Sequence, residues 1–471
     1  MNFFKKLSHL IRLAIKNPGK SLSNLNVRNL RTLLSALKYE DSSTISQNFS
    51  NLIDNKQESQ ITQIVEHKPI LKPKQMVRKT PDKKSDLFYT QWDDSYIEKH
   101  IDQLNNYSSP SSHIKGIAII ADLNLPQCKK YRVLQKVEVL RSKGIHCDFS
   151  HWLDVPRSLN LMQNVSCVLF YRVPFSKLTS SYIDEATRLD LNIGYDIDDP
   201  IFDKEIYKSN RNLDFLPKNE RAQLLNNTKH YASIIRQCHF LTTSTPYMAE
   251  VLRKYSKASI YIWRNLMDAQ TLNAVDVVQN LAERSLDPDK FVIGYMSGSR
   301  AHEADFKEAI AALDNILANY EYTELRVVGY ADLVKKLKVK YKDRITHSPF
   351  SDYYQYMESF LEFDINIIPL VQNQFNECKS AIRYLESSLL NTASVISYIG
   401  DFKHIVKHKD NGIFVHKNST KEWIKTLEWC LSNRTELKQI AKRANANVLE
   451  NYTTKTFTSN SINDQIILSE I

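Results

Sequence analysis

Ile365-Asn366-Ile367-Ile368-Pro369-Leu370, then Lys379-Ser380-Ala381-Ile382-Arg383-Tyr384-Leu385-Glu386, then Ala393-Ser394-Val395-Ile396-Ser397, is the stretch on which the reading of the fold turns. Two apolar runs flank a segment of helical periodicity, as expected for a strand, a helix and a second strand of one sheet. Asn376 is the expected N-cap, and Ile382, Leu385 and Leu389 form an apolar stripe. Lys379, Arg383 and Glu386 recur three or four residues apart and share another face. At the helix start, amide donors, the helix field and the Lys379 amine suit a pyrophosphate. Glu386, about two turns farther in, suits ribose hydroxyls as an acceptor. The same pattern also describes a solvated Lys-Glu ladder on an ordinary amphipathic helix. The loop Tyr398-Ile399-Gly400-Asp401 favours the ligand, because it follows the next strand at the end where parallel sheets carry their ligand loops.

Asn376 through Glu386, followed by Ser394-Val395-Ile396-Ser397, Gly400, Asn411-Gly412 and Trp423, resembles the donor-binding domain of a retaining GT-B glycosyltransferase of family 4. The branch it is similar to serves bacterial surface-polysaccharide synthesis, such as O-antigen or capsule. The resemblance implies an α/β, GT-B fold of two Rossmann-like domains facing a cleft, preceded here by an N-terminal helical extension. It also implies a metal-independent donor site. In that family two glutamates separated by seven residues contact the transferred sugar and the ribose. Glu386 matches the second; the first position holds Cys378, and Glu377 lies one residue out of register. Lys379 and Ser380 match a variant in which basic and small polar groups replace the acidic-and-glycine start.

With 471 residues, 42% of them hydrophobic and 25% charged, the chain can bury two or three substantial cores. Its 63 Lys and Arg exceed 53 Asp and Glu, a surplus of +10 that suits nucleotide phosphates, anionic lipid or nucleic acid and selects none. No repeated aromatic-basic platform or zinc motif supports nucleic acid as a partner. No apolar run reaches membrane-spanning length and no secretory signal opens the chain, so a cytoplasmic location is expected. Cys128, Cys147, Cys167, Cys238, Cys378 and Cys430 are dispersed and read as reduced thiols, and the histidines form no HExxH motif. No metal and no cofactor are expected.

Taken in order, residues 1–58 carry short helical patterns with eight basic groups against one acidic group in the first forty positions. They suit either contact with an anionic inner-membrane surface or a cover for the core. Residues 59–110, with Pro69, Pro73 and Pro81 among basic groups, read as a linker or extended arm. An acceptor domain is expected over 111–270, with strands at 117–121, 167–170, 191–196, 240–244 and 258–263. A donor domain is expected over 271–455 and a tail over 456–471, the transition falling around 266–288, where Asp287-Pro288-Asp289 interrupts the pattern before a new strand.

Within the first domain, 126–133 resembles the family's acceptor-side loop and first helix, which implies Lys129, Tyr131 and Arg132 as acceptor-binding residues. Tyr195-Asp196-Ile197-Asp198-Asp199 resembles its acidic loop; Asp198 is assigned to acceptor binding and Asp196 to the catalytic set. The carboxylates also admit a purely structural loop, or a metal cluster on weak spacing. In the second domain, Gly298 permits a tight turn, and with Ser299 and His302 it offers donors to phosphate, while Arg300 adds charge. Lys379 and Arg300 are the expected stabilisers of the leaving diphosphate; Asn376, Glu377, Ser380 and Glu386 complete the donor set. The expected activity is transfer of a hexosyl or deoxyhexosyl group from a nucleotide diphosphate sugar to a carbohydrate or lipid-linked glycan acceptor. A non-catalytic glycosyltransferase-like partner protein is the alternative, motivated by Cys378 and by only nine glycines in the chain.

Overall fold

The computed structural model describes residues 115–281, 286–297, 302–349 and 352–457. The basic extension 1–58, the arm 59–110, Gly298, Ser299, Arg300 and the tail beyond residue 457 lie outside these residues. The described residues form two parallel six-stranded sheets in an α/β arrangement, here called the first and second lobes.

The first sheet contains β1 (Gly116–Ala121), β2 (His146–His151), β3 (Cys167–Tyr171), β4 (Asn192–Asp196), β5 (Phe240–Thr243) and β6 (Ser259–Ile262), in the order β2-β1-β3-β4-β5-β6. The second contains β7 (Phe291–Ser297), β8 (Thr323–Gly329), β9 (Ile345–Ser348), β10 (Ile365–Ile368), β11 (Ala393–Ser397) and β12 (Ile413–Val415), in the order β12-β11-β10-β7-β8-β9. Helices cover both faces of the inner strands, so β1, β3, β7, β10 and β11 are apolar runs buried at every position. The strand order reverses between β1 and β3 in one sheet and between β7 and β10 in the other. Such reversals open crevices at the carboxyl ends of the strands. Register aligns Tyr171 with Asp196 and Ile368 with Ile396, which brings the loops that follow them to common edges.

Two departures from simple helical reading shape these edges. Residues 126–142 run as one helix with a π-helical turn at Lys129–Leu134, and that wider turn buries Tyr131, Arg132 and Val133 together. The segment before Glu386 is two helices rather than one. Asn373, not Asn376, caps Gln374–Glu377, its side chain accepting from the Asn376 amide at 2.8 Å. The chain then breaks before Ile382–Leu389. The break follows from competition for carbonyls: Cys378 O accepts from Thr245 Oγ1 at 3.2 Å and Lys379 O from the Asp401 amide at 3.1 Å, so neither continues a helical ladder. Gly400, at φ 66°, lets that approach occur, since a Cβ there would lie 2.9 Å from Asn376 O. Lys379 consequently sits in a joint between helices.

The lobes exchange core residues. Phe375 and Cys378 join the hydrophobic cluster of the first lobe, with the Phe375 ring stacked on Tyr207 at 5.8 Å, while Tyr131 joins a cluster of the second. After the helix Arg434–Asn451, the chain returns to the first lobe: Thr454 N donates to Met267 O at 3.0 Å and Phe457 stacks on Trp263 at 5.0 Å.

Candidate functional site

The carboxyl ends of the two sheets face each other, and the side chains between them form three connected groups. The first lies beneath the cleft floor of the first lobe. Asp196 ends β4 and accepts from Arg132 Nε at 3.0 Å, from Arg132 Nη2 at 2.9 Å on each oxygen and from Thr242 Oγ1 at 2.9 Å; Lys136 adds a close ion pair. Arg132 and Asp196 are wholly buried. Arg132 Nη1 also donates to Trp263 O and, at 2.9 Å, to Asn265 Oδ1. Burial and the neighbouring Arg132 charge push Lys136 down to about 8. Burial raises Asp196, but the charges of Arg132 and Lys136 outweigh it and hold the carboxyl below its usual range. Arg132 and Asp196 thus satisfy one another under the surface, and the carboxylates that line the cleft are the next two.

Asp198 and Asp199 form the second group with Tyr171, Arg172 and Lys379. Tyr171 OH donates to Asp198 Oδ1 at 3.1 Å, and Arg172 Nη1 donates to Asp199 Oδ2 at 3.0 Å. From the second lobe, Lys379 Nζ reaches Asp199 Oδ1 at 3.4 Å. Burial and the adjacent Asp199 raise Asp198; Asp199 is pushed up by burial, yet Lys379 and Arg172 bring it down to about 2. Lys129, one of the predicted acceptor residues, holds its ammonium 5.5 Å from the Phe149 ring centroid.

Glu386 centres the third group. Tyr131 and Tyr353 donate to its Oε1 and Tyr356 to its Oε2, at 2.8 Å for the last. Tyr131 comes from the first lobe and the other two from the second, so Glu386 joins the lobes. Burial lifts its pKa although the three phenols and Lys130 oppose the shift. Beside it, Ser380 Oγ accepts from Asn265 Nδ2 at 2.9 Å, and Glu377 accepts from the Gly400 amide at 3.1 Å while pairing with Lys403 at 2.6 Å. Asn376 is buried: Nδ2 donates to Asp305 Oδ1 at 2.8 Å and to Val371 O at 2.9 Å, while Oδ1 has no partner among the described residues. His302 Nδ1 lies 3.1 Å from Asp305 Oδ2 and 2.9 Å from Arg383 Nη2. Burial and the Arg383 charge lower His302 to about 4, so the ring is neutral at pH 7.

The structure therefore brings Lys379 to the acidic loop of the first lobe and Tyr131 to Glu386, and sets Asp196 and Arg132 below the cleft. Arg172, Lys136, Tyr353 and Tyr356 enter the site without having been singled out for it in the sequence, while Asp199 and Arg383 enter it from the acidic loop and the helical segment already quoted. Arg172 carried a readable signal, as the basic residue directly after the apolar strand Cys167–Tyr171. Lys136 and the tyrosines carried none, since each reads as an ordinary helix residue.

The two facing sheets match solved structures over most of their length. Sucrose-phosphate synthase from Thermosynechococcus elongatus is 12% identical with a TM-score of 0.51, the match covering 73% of this chain and 96% of that one. Anabaena HepE in complex with UDP-glucose is 13% identical with a TM-score of 0.50, over 76% and 100%. WaaG, a glycosyltransferase involved in lipopolysaccharide biosynthesis, is 11% identical with a TM-score of 0.50, over 76% and 99%. The fold is GT-B. Within this GT-B chain, residues 278–447 match the family model of glycosyl transferases group 1, a range that holds Glu386, Lys379 and every strand of the second sheet. No curated protein sequence matches the chain. The group 1 domain and the GT-B neighbours together support a glycosyltransferase.

Proposed function

We propose that this protein transfers a hexosyl or deoxyhexosyl group from a nucleotide diphosphate sugar to a growing bacterial surface glycan, with retention of configuration, as a member of the family 4 branch. The observation that carries the reading is the meeting of Lys379, from the group 1 domain, with the Asp198-Asp199 loop across the cleft. The UDP-glucose held by HepE and the involvement of WaaG in lipopolysaccharide biosynthesis lend it support.

In this reading the second lobe holds the donor. Glu386 exchanges its Tyr131 phenol for a ribose hydroxyl, Ser380 and neutral His302 face the phosphates, and Asn376 pins the backbone around them. Glu377 lies toward the sugar, at the end of the joint that carries Lys379. Gly298, Ser299 and Arg300 follow β7 and supply amides, a hydroxyl and a cation to the same anion. The first lobe orients the acceptor through Lys129, Tyr131 and Asp198, while Asp196 and Arg132 act from below by fixing the loop and helix that carry them. The acceptor hydroxyl oxygen bonds to the anomeric carbon on the face from which the diphosphate departs, its proton passing to the departing diphosphate oxygen, and Lys379 stabilises the charge that develops on the leaving group. Among the described residues no helix is long and apolar enough to cross a membrane. Contact with the cytoplasmic face of the inner membrane falls to residues 1–58 in this proposal.

A donor panel incubated with purified glycan intermediates tests it, with product mass and anomeric configuration read by mass spectrometry and NMR. A one-sugar mass increase with retained configuration is expected, and an exclusively inverted linkage at initial rate overturns the mechanism. One observation favours a second reading, a non-catalytic glycan-binding or synthase-partner protein: Cys378 stands buried in place of a glutamate. Turnover of any nucleotide sugar rejects it.

A further inference from the structure

Arg172 is the first residue after β3, at the crevice where the first sheet's strand order reverses. Its φ of 53° is a left-handed conformation that a side chain with a Cβ adopts only at an energetic cost, so the surrounding structure must impose it. The result is a guanidinium set into the cleft. Nη1 lies 3.0 Å from Asp199 Oδ2 and 3.6 Å from Asp198 Oδ1, and Nε is buried with no hydrogen-bond partner among the described residues. Opposite it, Lys379 leaves the joint between two helices and places its ammonium 3.4 Å from the other oxygen of Asp199. A single carboxylate is thus held between two cations, one from each lobe and one on each oxygen.

This is the coordination that a phosphate oxygen pair takes between basic side chains, with a carboxylate standing in the phosphate's position. A diphosphate brings more negative charge and more acceptor atoms than one carboxylate. It has use for the idle Arg172 N–H, which Asp199 leaves unmet. Resting on the proposed glycosyltransferase reading, we propose that Arg172 and Lys379 form a two-lobe clamp for the diphosphate of donor and product. Asp199 is the resident anion of that clamp, and the incoming diphosphate displaces it. The clamp ties donor binding to lobe closure, because each lobe contributes one of its two cations. Between turnovers Asp199 keeps the two cations paired across the cleft.

The test is calorimetric binding of UDP, GDP and inorganic pyrophosphate to the full-length protein, with thermal unfolding of every variant alongside. Asp199→Asn removes the competitor and keeps the shape, so nucleoside diphosphate affinity is expected to rise about tenfold. Arg172→Gln is expected to lower it by about the same factor, and Asp199→Asn should gain less in the Arg172→Gln background, because only one cation is left to be freed. If Arg172→Gln fails to fold, Arg172→Lys and the isosteric Asp199→Asn carry the comparison. Wild-type binding with unchanged or weakened affinity in Asp199→Asn overturns the clamp and leaves the glycosyltransferase reading standing. Failure of both wild type and Asp199→Asn to bind any of the three ligands overturns both.

Discussion

Replacing Asp196 with asparagine removes the carboxylate that Arg132 and Lys136 grip beneath the cleft. Arg132 and Asp196 are 0% exposed and Lys136 is 1% exposed, so water does not compensate the loss. Breaking a buried ion pair by removing one partner costs about 3–5 kcal/mol, which for a domain of this size lowers Tm by about 10 °C. The cost depends on pH. Lys136 already sits at about 8 with Asp196 in place, and the variant's Lys136 must titrate lower still. At pH 7 the wild type gains the full Lys136 attraction, whereas at pH 9 the amine is largely neutral in both proteins and only Arg132 is left unpaired. Melting curves by circular dichroism should show a Tm gap that narrows between pH 7 and pH 9. Adding Lys136→Met to the variant should recover part of the loss by removing one uncompensated cation. A Tm drop below about 3 °C at pH 7 refutes the reasoning, since this is less than the 1 kcal/mol or so of an exposed pair. Turnover per folded molecule separates the two roles of Asp196. Near-normal turnover fits a supporting group under the floor, and a collapse of kcat with an intact Tm restores it to the catalytic set.

Glu386→Gln should weaken UDP binding about tenfold by calorimetry, as a charged acceptor for ribose becomes an amide; equal affinities reject the ribose role. Lys379→Ala should lower kcat with saturating donor by about a hundredfold or more while moving Tm little, because its pair with Asp199 is partly exposed. His302 titrates at about 4 in the fold and 6.5 in the unfolded chain, so the unfolded state binds the extra proton in that window and stability falls as pH drops through it. His302→Asn should flatten this loss, which is at most about 3 kcal/mol, in urea titrations at pH 7 and pH 4.5. Deleting residues 1–58 should reduce sedimentation with anionic vesicles while leaving UDP binding intact; equal sedimentation rejects the anchor.

Most of the strands that the sequence disclosed are buried on both faces, although Ser259–Ile262 is a partly exposed edge strand. Ile117 to Ala121, Cys167 to Phe170, Phe291 to Tyr295 and Ala393 to Ser397 are apolar runs because helices cover them on both sides. His146–His151 and Ile345–Ser348 were not apparent because they are edge strands rich in polar residues, which do not form an apolar run. Spacing within one segment put Lys379 and Glu386 on one helix face, whereas Lys379 lies in the joint before the helix that carries Glu386. Asp196 closes β4 and is gripped by Arg132 and Lys136 beneath the cleft, whereas Asp198 and Asp199 stand in the loop beyond the strand, a difference that spacing along the segment does not give. Tyr131 beside Glu386 joins residues 255 positions apart, a pairing that only the packed lobes reveal.

The exchange of Phe375 and Phe457 into the first lobe has a consequence for synthesis. A ribosome delivers the first sheet, through Ile262, long before either ring exists. Until then the faces of Tyr207 and Trp263 that those rings will cover remain bare. The early half of the chain therefore waits, incompletely sealed, for its own far end. Shortening the chain by even a few residues before Phe457 should show itself first as aggregation during expression, with the second sheet still able to form.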